Sequence, residues 1–232
     1  MIVAIHQPNF FPWLGYFDKI RKSDIFVFMD DVAYPKTGSG TWCNRVKILI
    51  QGKPVWITCP IVREPGAQLI RHVKIDDRQA WRRKILKTIE YNYKKAPYFE
   101  ENWDWVKPMF LYEADSLADF NIHNIKQIME KLSYDVSFVL QSALQTREKA
   151  TGLLIEITKK LGSDAYLCGN GASGYQDDAE FDRKGIKLIY QNFKDVDYLQ
   201  RGSDFSPGLS ILDVFFNCGY KAITKWMNVK SK

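Results

Sequence analysis

Short apolar runs alternate with helical patterns at the start of the chain. Ile2–Ile5 has the length and composition of a buried strand, and Leu14, Phe17 and Ile20 then recur at helical spacing. A second apolar run follows at residues 25–29. The pattern predicts a strand–helix–strand unit, and with it a parallel sheet, whose elements are a strand at 2–6, a helix at 14–22 and a strand at 25–29.

A different pattern follows at residues 46–58. Val46–Gln51 and Pro54–Thr58 are both rich in β-prone residues, and the two residues between them, Gly52 and Lys53, suit a tight turn. This arrangement predicts a β-hairpin. We expect it to be an antiparallel excursion that makes the sheet mixed.

Three helical stretches follow one another between residues 79 and 132, and alternation of strands and helices then resumes. The later predictions are strands at 136–140, 164–168 and 186–190, and helices at 148–161, 210–217 and 220–228. The fold class expected is α/β, a Rossmann-like, mostly parallel sheet with a β-hairpin excursion and a helical insertion. We expect a single compact domain at 1–232, with an α/β core of about 1–78 and 133–232 and a helical insert of about 79–132.

Polar and aromatic side chains are concentrated where the first strand ends and the first helix begins. His6, Gln7 and Asn9 stand there beside Trp13 and Tyr16. In open α/β sheets this edge is where ligands bind, and the two prolines of the loop fix its backbone. The sequence therefore indicates either a ligand-binding loop or an aromatic plug that closes one end of the core.

Composition narrows the class of protein. With 46% hydrophobic and 14% aromatic residues among 232, the chain can form a large core. No apolar run is long enough to span a bilayer, and the N-terminus lacks the pattern of a signal peptide, so we expect a cytoplasmic protein. The four cysteines have no Cys-x-x-Cys spacing, which indicates reduced thiols rather than a zinc site or disulfides.

The positive charge lies in the first half of the chain. Residues 1–112 hold 18 Lys and Arg against 11 Asp and Glu, whereas residues 113–232 hold 15 against 16. Within 78–95, a helical stripe of apolar residues leaves the basic side chains on the outer face. That face is either a solvated surface or an electropositive surface for a phosphorylated or nucleotide-linked substrate. The chain has no nucleic-acid-binding motif, so we expect no nucleic-acid partner.

Three further segments carry candidate ligand-binding groups. Residues 169–174 match Gly-x-Gly-x-x-Gly after a predicted strand, but the acidic residues that follow would repel a phosphate, so we do not expect NAD as a cofactor. Asn170 and Ser173 of that loop remain candidates for another ligand or for a structural turn.

Asn121 and Asn124 fall on the apolar face of a helix predicted over 116–132. Buried amides of this kind need either internal hydrogen bonds or a polar pocket. Near the end of the chain, Ser210 with Asp213 has the spacing of a helix cap. The preceding Ser206-Pro207-Gly208 turn leaves open a hydroxyl or amide near a ligand.

The residues also resemble a known family, the WbqC-like protein family, over essentially the whole chain. The segments that carry the resemblance are His6-Gln7-Pro8-Asn9, Phe11-Pro12-Trp13, Gly15-Tyr16-Phe17, Asp24, Asp30-Asp31-Val32, Asn44-Arg45, Phe205, Pro207, Leu209–Asp213, Asn217 and Gly219. The resemblance implies a role linked to bacterial surface-polysaccharide (O-antigen, lipopolysaccharide) biosynthesis, with aminoacyl or glycyl transfer to an amino sugar as the activity suggested for such proteins. It implies no settled set of catalytic residues.

A looser resemblance is to nucleotidylyltransferases of the HIGH-motif superfamily. The predicted topology and the position of His6 agree with that superfamily, whereas Asn9-Phe10 replaces the second histidine of its motif. No loop similar to Lys-Met-Ser-Lys-Ser follows.

The leading hypothesis is an enzyme that acylates a phosphorylated or nucleotide-linked amino sugar, with ATP and Mg²⁺ or an acyl thioester as possible co-reactants. His6 would act as the base, and Asp30 and Asp31 would orient it or hold Mg²⁺. The expected substrate-binding residues are Gln7, Asn9, Trp13, Tyr16, Asn44, Arg45, Lys47, Asn121, Asn124, Asn170, Ser173, Ser206 and Ser210. No resident metal is assigned. The alternatives are a nucleotidylyltransferase-like enzyme and a non-catalytic sugar-nucleotide-binding protein.

Overall fold

A computed structural model describes residues 1–35, 42–169, 176–201 and 204–228. The chain divides into two compact units. Unit 1 comprises Met1–Gln7, Gly15–Val32 and Asp135–Lys194, and unit 2 comprises Pro8–Leu14, Ala33–Tyr134 and Asp195–Lys232. No helix in the described ranges is both long and apolar enough to cross a membrane.

Unit 1 contains a five-stranded sheet in which every pairing is parallel. The order across the sheet is β5-β2-β1-β6-β7. The strands are β1 (Ile2–His6), β2 (Ile25–Phe28), β5 (Ser137–Leu140), β6 (Ala165–Cys168) and β7 (Lys187–Tyr190), and the helices of this unit are α1 (Leu14–Arg21), α5 (Ala150–Lys160) and α6 (Asp178–Arg183). These elements confirm the predicted Rossmann-like, mostly parallel arrangement.

The strand order places a topological switch point beside β1. From β1 the chain first passes to β2 on one side, and it later returns to β6 on the other. The pairs Ile2↔Ala165 and Ala4↔Leu167 align β1 with β6. Since ligands of open α/β sheets bind at the carboxyl ends of the strands that flank such a point, His6 and Cys168 stand at the edge where a ligand is expected.

One face of this sheet is closed by an apolar core. Val3 and Ile5 of β1 contribute to it together with residues of α5 and α6 such as Ile157 and Phe181. Because side chains alternate along a strand, Ala4 and His6 point to the other face. There Tyr16 of α1 packs edge-on against the His6 ring, with 4.9 Å between ring centroids.

The described residues of unit 2 form the β-hairpin and four α-helices. Its elements are β3 (Arg45–Ile50), β4 (Lys53–Thr58), α2 (Trp81–Tyr93), α3 (Phe99–Leu111), α4 (Leu117–Lys131) and α7 (Ile211–Asn228). The three consecutive helices predicted between 79 and 132 are confirmed as α2, α3 and α4. The bounds of the predicted insert, and the single-domain description, stay predictions.

The hairpin departs from the prediction in two ways. It forms a separate two-stranded sheet and does not join the parallel sheet to make it mixed. The reason is that groups outside any strand bond to the edge of β3: Ser210 N donates to Lys47 O, and Leu49 N donates to the Tyr93 hydroxyl. Its turn is Gln51-Gly52, both with positive φ, rather than Gly52-Lys53. With the turn at this position, Lys47 pairs with Trp56 across the hairpin.

The opening loop supplies aromatic side chains to the core of unit 2. Phe10 and Phe11 are buried, and Phe11 stacks on Phe110 of α3 with 4.3 Å between centroids. Phe11 has a φ of 41°, an unusual value for a bulky residue, and the Ser210 hydroxyl donates to its carbonyl. Phe10 and Phe11 therefore act as the aromatic plug that was one of the two interpretations of this loop.

Helix α7 consists of two helical pieces joined at Gly219. That residue has φ 74° and ψ 161°, a conformation essentially limited to glycine. The kink accounts for the two helices predicted at 210–217 and 220–228.

Candidate active site

His6 ends the central strand of the parallel sheet and keeps part of its surface exposed. Its Nδ1 lies 3.1 Å from the carbonyl oxygen of Gln7. The Tyr16 hydroxyl donates to the same oxygen at 2.9 Å. The chain therefore fixes the imidazole with one main-chain acceptor and one aromatic neighbour.

The hydrogen bond determines which ring nitrogen is free. A carbonyl oxygen only accepts, so the contact with Gln7 requires a hydrogen on Nδ1. In the neutral ring, Nε2 then carries the lone pair. Burial, followed by the charge of Lys19, lowers the pKa of His6 from 6.5 to about 4, while the Gln7 carbonyl acts in the opposite direction. At neutral pH the ring is consequently an unprotonated base.

Lys19 places a buried amine at the same edge of the sheet. Its Nζ donates to the carbonyl of Ile5 at 2.8 Å, and its side chain is 4% exposed. Burial lowers the pKa of Lys19 to about 8, with a smaller opposing effect from the thiol of Cys168. The amine is still mainly protonated at neutral pH, so it adds positive charge between β1 and β6.

The carboxylates after β2 have other contacts. Asp30 is buried, and its two oxygens accept from the main-chain N and the hydroxyl of Ser142 at 3.0 and 2.6 Å. Asp31 is half-buried, and its side chain or main chain makes a polar or electrostatic contact, so it is not without a partner. No three His, Cys, Asp or Glu side chains of the described ranges cluster as metal ligands. A catalytic role for either aspartate stays a prediction.

The candidate residues of the hairpin lie in unit 2. Asn44 accepts from the Tyr34 hydroxyl at 2.8 Å and donates to the Cys59 carbonyl at 3.0 Å. The guanidinium of Arg45 stacks over Trp56 at 4.4 Å from the ring centroid, and the Lys47 amine lies 5.2 Å from the same ring. Asn44 and Arg45 line a cavity of about 260 Å³.

The two asparagines of α4 differ in their contacts. Asn121 Nδ2 donates to the carbonyls of Pro8 and Cys43 at 2.9 and 2.7 Å, which holds the opening loop. Asn124 is equally buried, yet neither of its amide atoms has a partner among the described residues. Asn121 therefore matches the expectation that these buried amides make internal hydrogen bonds. Asn9 is buried nearby and accepts a weak bond from the Cys43 thiol at 3.8 Å.

The remaining candidates in unit 2 make main-chain contacts. Trp13 is half-buried and forms an isolated antiparallel bridge with Ser210. Ser210 is fully buried, and its hydroxyl accepts from Leu212 N at the start of α7. Both main-chain groups of Ser206 bond to the side chain of Gln200. Ser210 is thus a helix-start residue, and its hydroxyl is not exposed.

Asn170 and Ser173, the candidates in the glycine-containing loop, lie outside the described residues. The thiols of all four cysteines are free.

The sequence patterns missed several residues that shape these environments. Lys19 lies beside two other basic residues, Arg21 and Lys22, and so resembles a solvated charge. Trp56 could have been identified from the sequence, because a hairpin turn at Gln51-Gly52 makes it the cross-strand neighbour of Lys47. Arg63 lies in an irregular segment, where no periodicity assigns it to a cavity.

The basic face of α2 is partly solvated and partly structural. Arg83, Lys84 and Lys87 are exposed, whereas Arg82 is half-buried and donates to the carbonyls of Phe110 and Tyr112. An open cleft of about 980 Å³ beside this helix is lined by both basic and acidic side chains. The charge there is mixed rather than uniformly positive.

Comparisons with known proteins place this architecture in a family. A model of the WbqC-like protein family matches residues 7–225. An uncharacterised protein of Mycobacterium tuberculosis, Rv1507c, is 32% identical over 223 residues, covering 95% of each chain. No solved structure matches the chain. The family match spans nearly all of the sequence and includes most of the opening loop, so this chain belongs to the WbqC-like protein family.

Proposed function

We propose that this protein transfers an acyl or aminoacyl group to the amine of a phosphorylated or nucleotide-linked amino sugar, with His6 as the proton acceptor. One observation carries the proposal. His6 stands at the switch point of the parallel sheet with Nδ1 bonded to the Gln7 carbonyl, which leaves Nε2 as an unprotonated base.

The chemistry requires such a base. The sugar amine attacks the carbonyl carbon of an activated acyl donor, an acyl thioester or an acyl adenylate made with ATP, and a carbon–nitrogen bond forms. The nitrogen then carries a surplus proton, which passes to His6 Nε2. The bond to the leaving group breaks, and the proton returns from Nε2 to the departing thiolate or to the phosphate of the departing AMP.

The low pKa of His6, about 4, is compatible with this role. The ring is unprotonated at neutral pH and is therefore able to accept the proton that the attacking nitrogen must lose. The buried Lys19 amine supplies positive charge at the same edge, which suits a negatively charged substrate or a developing oxyanion.

The acceptor class comes from the family resemblance rather than from the geometry. The role in surface-polysaccharide biosynthesis that the resemblance implies favours an amino sugar as the acceptor. The proposal includes the predicted cytoplasmic location, because the protein would meet a nucleotide-linked sugar there. The substrate-binding roles of Gln7 and Tyr16 belong to the same hypothesis, and those of the unit 2 residues stay predictions.

Product formation tests the proposal directly. A nucleoside-diphosphate-linked amino sugar with a free amine is incubated with the protein and either acetyl-coenzyme A or glycine with ATP and Mg²⁺, and mass spectrometry detects the N-acylated sugar. His6→Asn keeps a donor for the Gln7 carbonyl but removes the base, so we expect at least a hundredfold loss of turnover. Tyr16→Phe is the matched control: it removes a donor to the same carbonyl but keeps the imidazole and the flat ring face proposed to contact the substrate, so its loss is expected to be small.

Three results would contradict the proposal. Unchanged turnover by a folded His6→Asn protein would remove the imidazole from the reaction. Binding of the sugar nucleotide without conversion of any donor would favour the non-catalytic alternative. Release of pyrophosphate from a nucleoside triphosphate and a sugar phosphate, with no acyl donor present, would favour the nucleotidylyltransferase.

A further inference from the structure

The beginning of the hairpin in unit 2 forms one wall of a small cavity. Its volume is about 260 Å³, and its lining includes Tyr34, Asn44, Arg45, Arg63, Glu64 and Gln68. Small-molecule pockets are commonly about 300–1,000 Å³ for ligands of drug size. A cavity somewhat below that range suits a compact group with a short organic body.

Arg45 is held in place without an anionic partner. Its guanidinium lies flat over Trp56, 4.4 Å from the ring centroid. Stacking on an aromatic ring fixes the guanidinium plane and leaves its N–H edge free to donate. Arg45 is therefore oriented before any ligand arrives.

One of these donors is orphaned. The Nε of Arg45 is buried, yet no acceptor for it exists among the described residues. Because this Nε has almost no accessible surface, a ligand in the cavity does not reach it, and the donors that Arg45 offers there are its two Nη groups. Two Nη groups form an edge that donates to two oxygens of one oxyanion.

A second guanidinium, that of the exposed Arg63, lines the same cavity. The charges of Arg63 and Arg45 both lower the pKa of Tyr34, although burial, the largest effect, raises it to about 12. Neither arginine forms an ion pair with a carboxylate of the described residues. Two unpaired positive charges are thus directed to one cavity that also contains a single carboxylate, that of Glu64.

The wall between the arginines is rigid. The Tyr34 hydroxyl donates to Asn44 Oδ1, and Asn44 Nδ2 donates to the Cys59 carbonyl. In addition, Tyr34 N donates to the Gln68 carbonyl at 2.7 Å. These bonds occupy the phenol and the amide, which leaves the guanidinium groups as the donors available to a ligand.

From this geometry we infer that the cavity between Arg45 and Arg63 binds the phosphoryl group of a small phosphorylated metabolite. A phosphoryl dianion matches two unpaired guanidinium groups better than a single carboxylate does, and its oxygens accept from the Nη groups of Arg45. The inference does not depend on acyl transfer, because binding is measured without turnover.

Titration with inorganic phosphate and glucose 6-phosphate tests the inference. Calorimetry gives the affinity, and ¹H–¹⁵N NMR follows the Nε–H signal of Arg45, assigned by its loss in Arg45→Lys. We expect that signal to shift on addition of either probe. Arg45→Gln and Arg63→Gln should each weaken binding at least tenfold.

Matched variants separate a site from a general charge effect. Lys53→Gln also removes one positive charge from the hairpin, but Lys53 lies in the exposed turn region and does not line the cavity, so its affinity should stay within twofold. Arg45→Lys retains the charge over Trp56 and loses the paired donors, so binding should weaken without a loss of folding.

Several outcomes would overturn the inference. They are an Arg45 Nε–H signal that does not respond to either phosphate, an equal loss of affinity in Lys53→Gln, and acetate competing as well as phosphate at equal concentration. The last result would assign the cavity to carboxylates.

Discussion

Lys19 and Ile5 join the first helix to the central strand through one buried hydrogen bond, in which the lysine Nζ donates to the isoleucine carbonyl at 2.8 Å. The bond places a positive charge close enough to His6 to lower its pKa. The electrostatics of the candidate base therefore depend on a helix residue as well as on the strand.

Replacement of Lys19 by methionine should raise the pKa of His6. The change removes the charge that opposes protonation but leaves burial, which is the larger cause. We expect a value above about 4 and still below 6.5. NMR titration of the ring protons measures it directly, because the chain has only three histidines and His6→Asn identifies the signal. An unchanged value would mean that the lysine charge does not reach the imidazole.

His6 should also make the folded protein less stable in acid. Its pKa is 6.5 in the unfolded chain and about 4 in the fold, so between these pH values the unfolded chain binds one more proton. Stability conferred by the neutral ring is present above pH 6.5 and is lost as the pH falls towards 4. A shift of this size corresponds to up to about 3 kcal/mol. Urea unfolding at several pH values should show a shallower decline for His6→Asn than for the wild type; parallel curves would contradict this.

Asn121 and Asn124 offer a matched pair on one helix. Asn121→Leu leaves the carbonyls of Pro8 and Cys43 without their donor, which should cost about 1–3 kcal/mol for each buried group. Asn124→Leu removes an amide that has no partner among the described residues, so it should leave stability unchanged or increase it. Thermal unfolding distinguishes the two. Strong destabilisation by Asn124→Leu would instead indicate a bound water molecule or another partner of its amide.

The elements of the fold were predictable because their signals are local. The strand and helix periods around β1, α1 and β2 appear within 28 residues, and the switch point follows once the strands are recognised as parallel. The place of the hairpin was not predictable. The groups that bond the edge of β3 come from Tyr93 and Ser210, which are distant in sequence.

The candidate site shows the same division between local and distant information. His6 was predictable, because a polar residue at the end of a buried strand is a strong local signal. Lys19 was not, since its burial depends on reaching the Ile5 carbonyl across 14 residues. The unpaired Nε of Arg45 likewise emerges only when the whole surrounding chain is present.

Gly219 should tolerate alanine poorly, for two separable reasons. The first is its backbone, since φ 74° with ψ 161° is a region that residues with a side chain avoid. The second is space, because a Cβ there would lie 2.8 Å from Cδ1 of Tyr98. Together these effects should destabilise Gly219→Ala by about 2–4 kcal/mol.

Gly208 provides the control for the backbone contribution. It also has a positive φ, 69°, but nothing lies within 4 Å of the position of its Cβ. Gly208→Ala should therefore cost about 1 kcal/mol, the price of the left-handed conformation alone. Tyr98→Leu combined with Gly219→Ala removes the contact and leaves the backbone strain, so in a double-mutant cycle it should recover part of the loss. If Gly219→Ala and Gly208→Ala unfold at the same urea concentration, then the close approach to Tyr98 does not constrain the junction within α7.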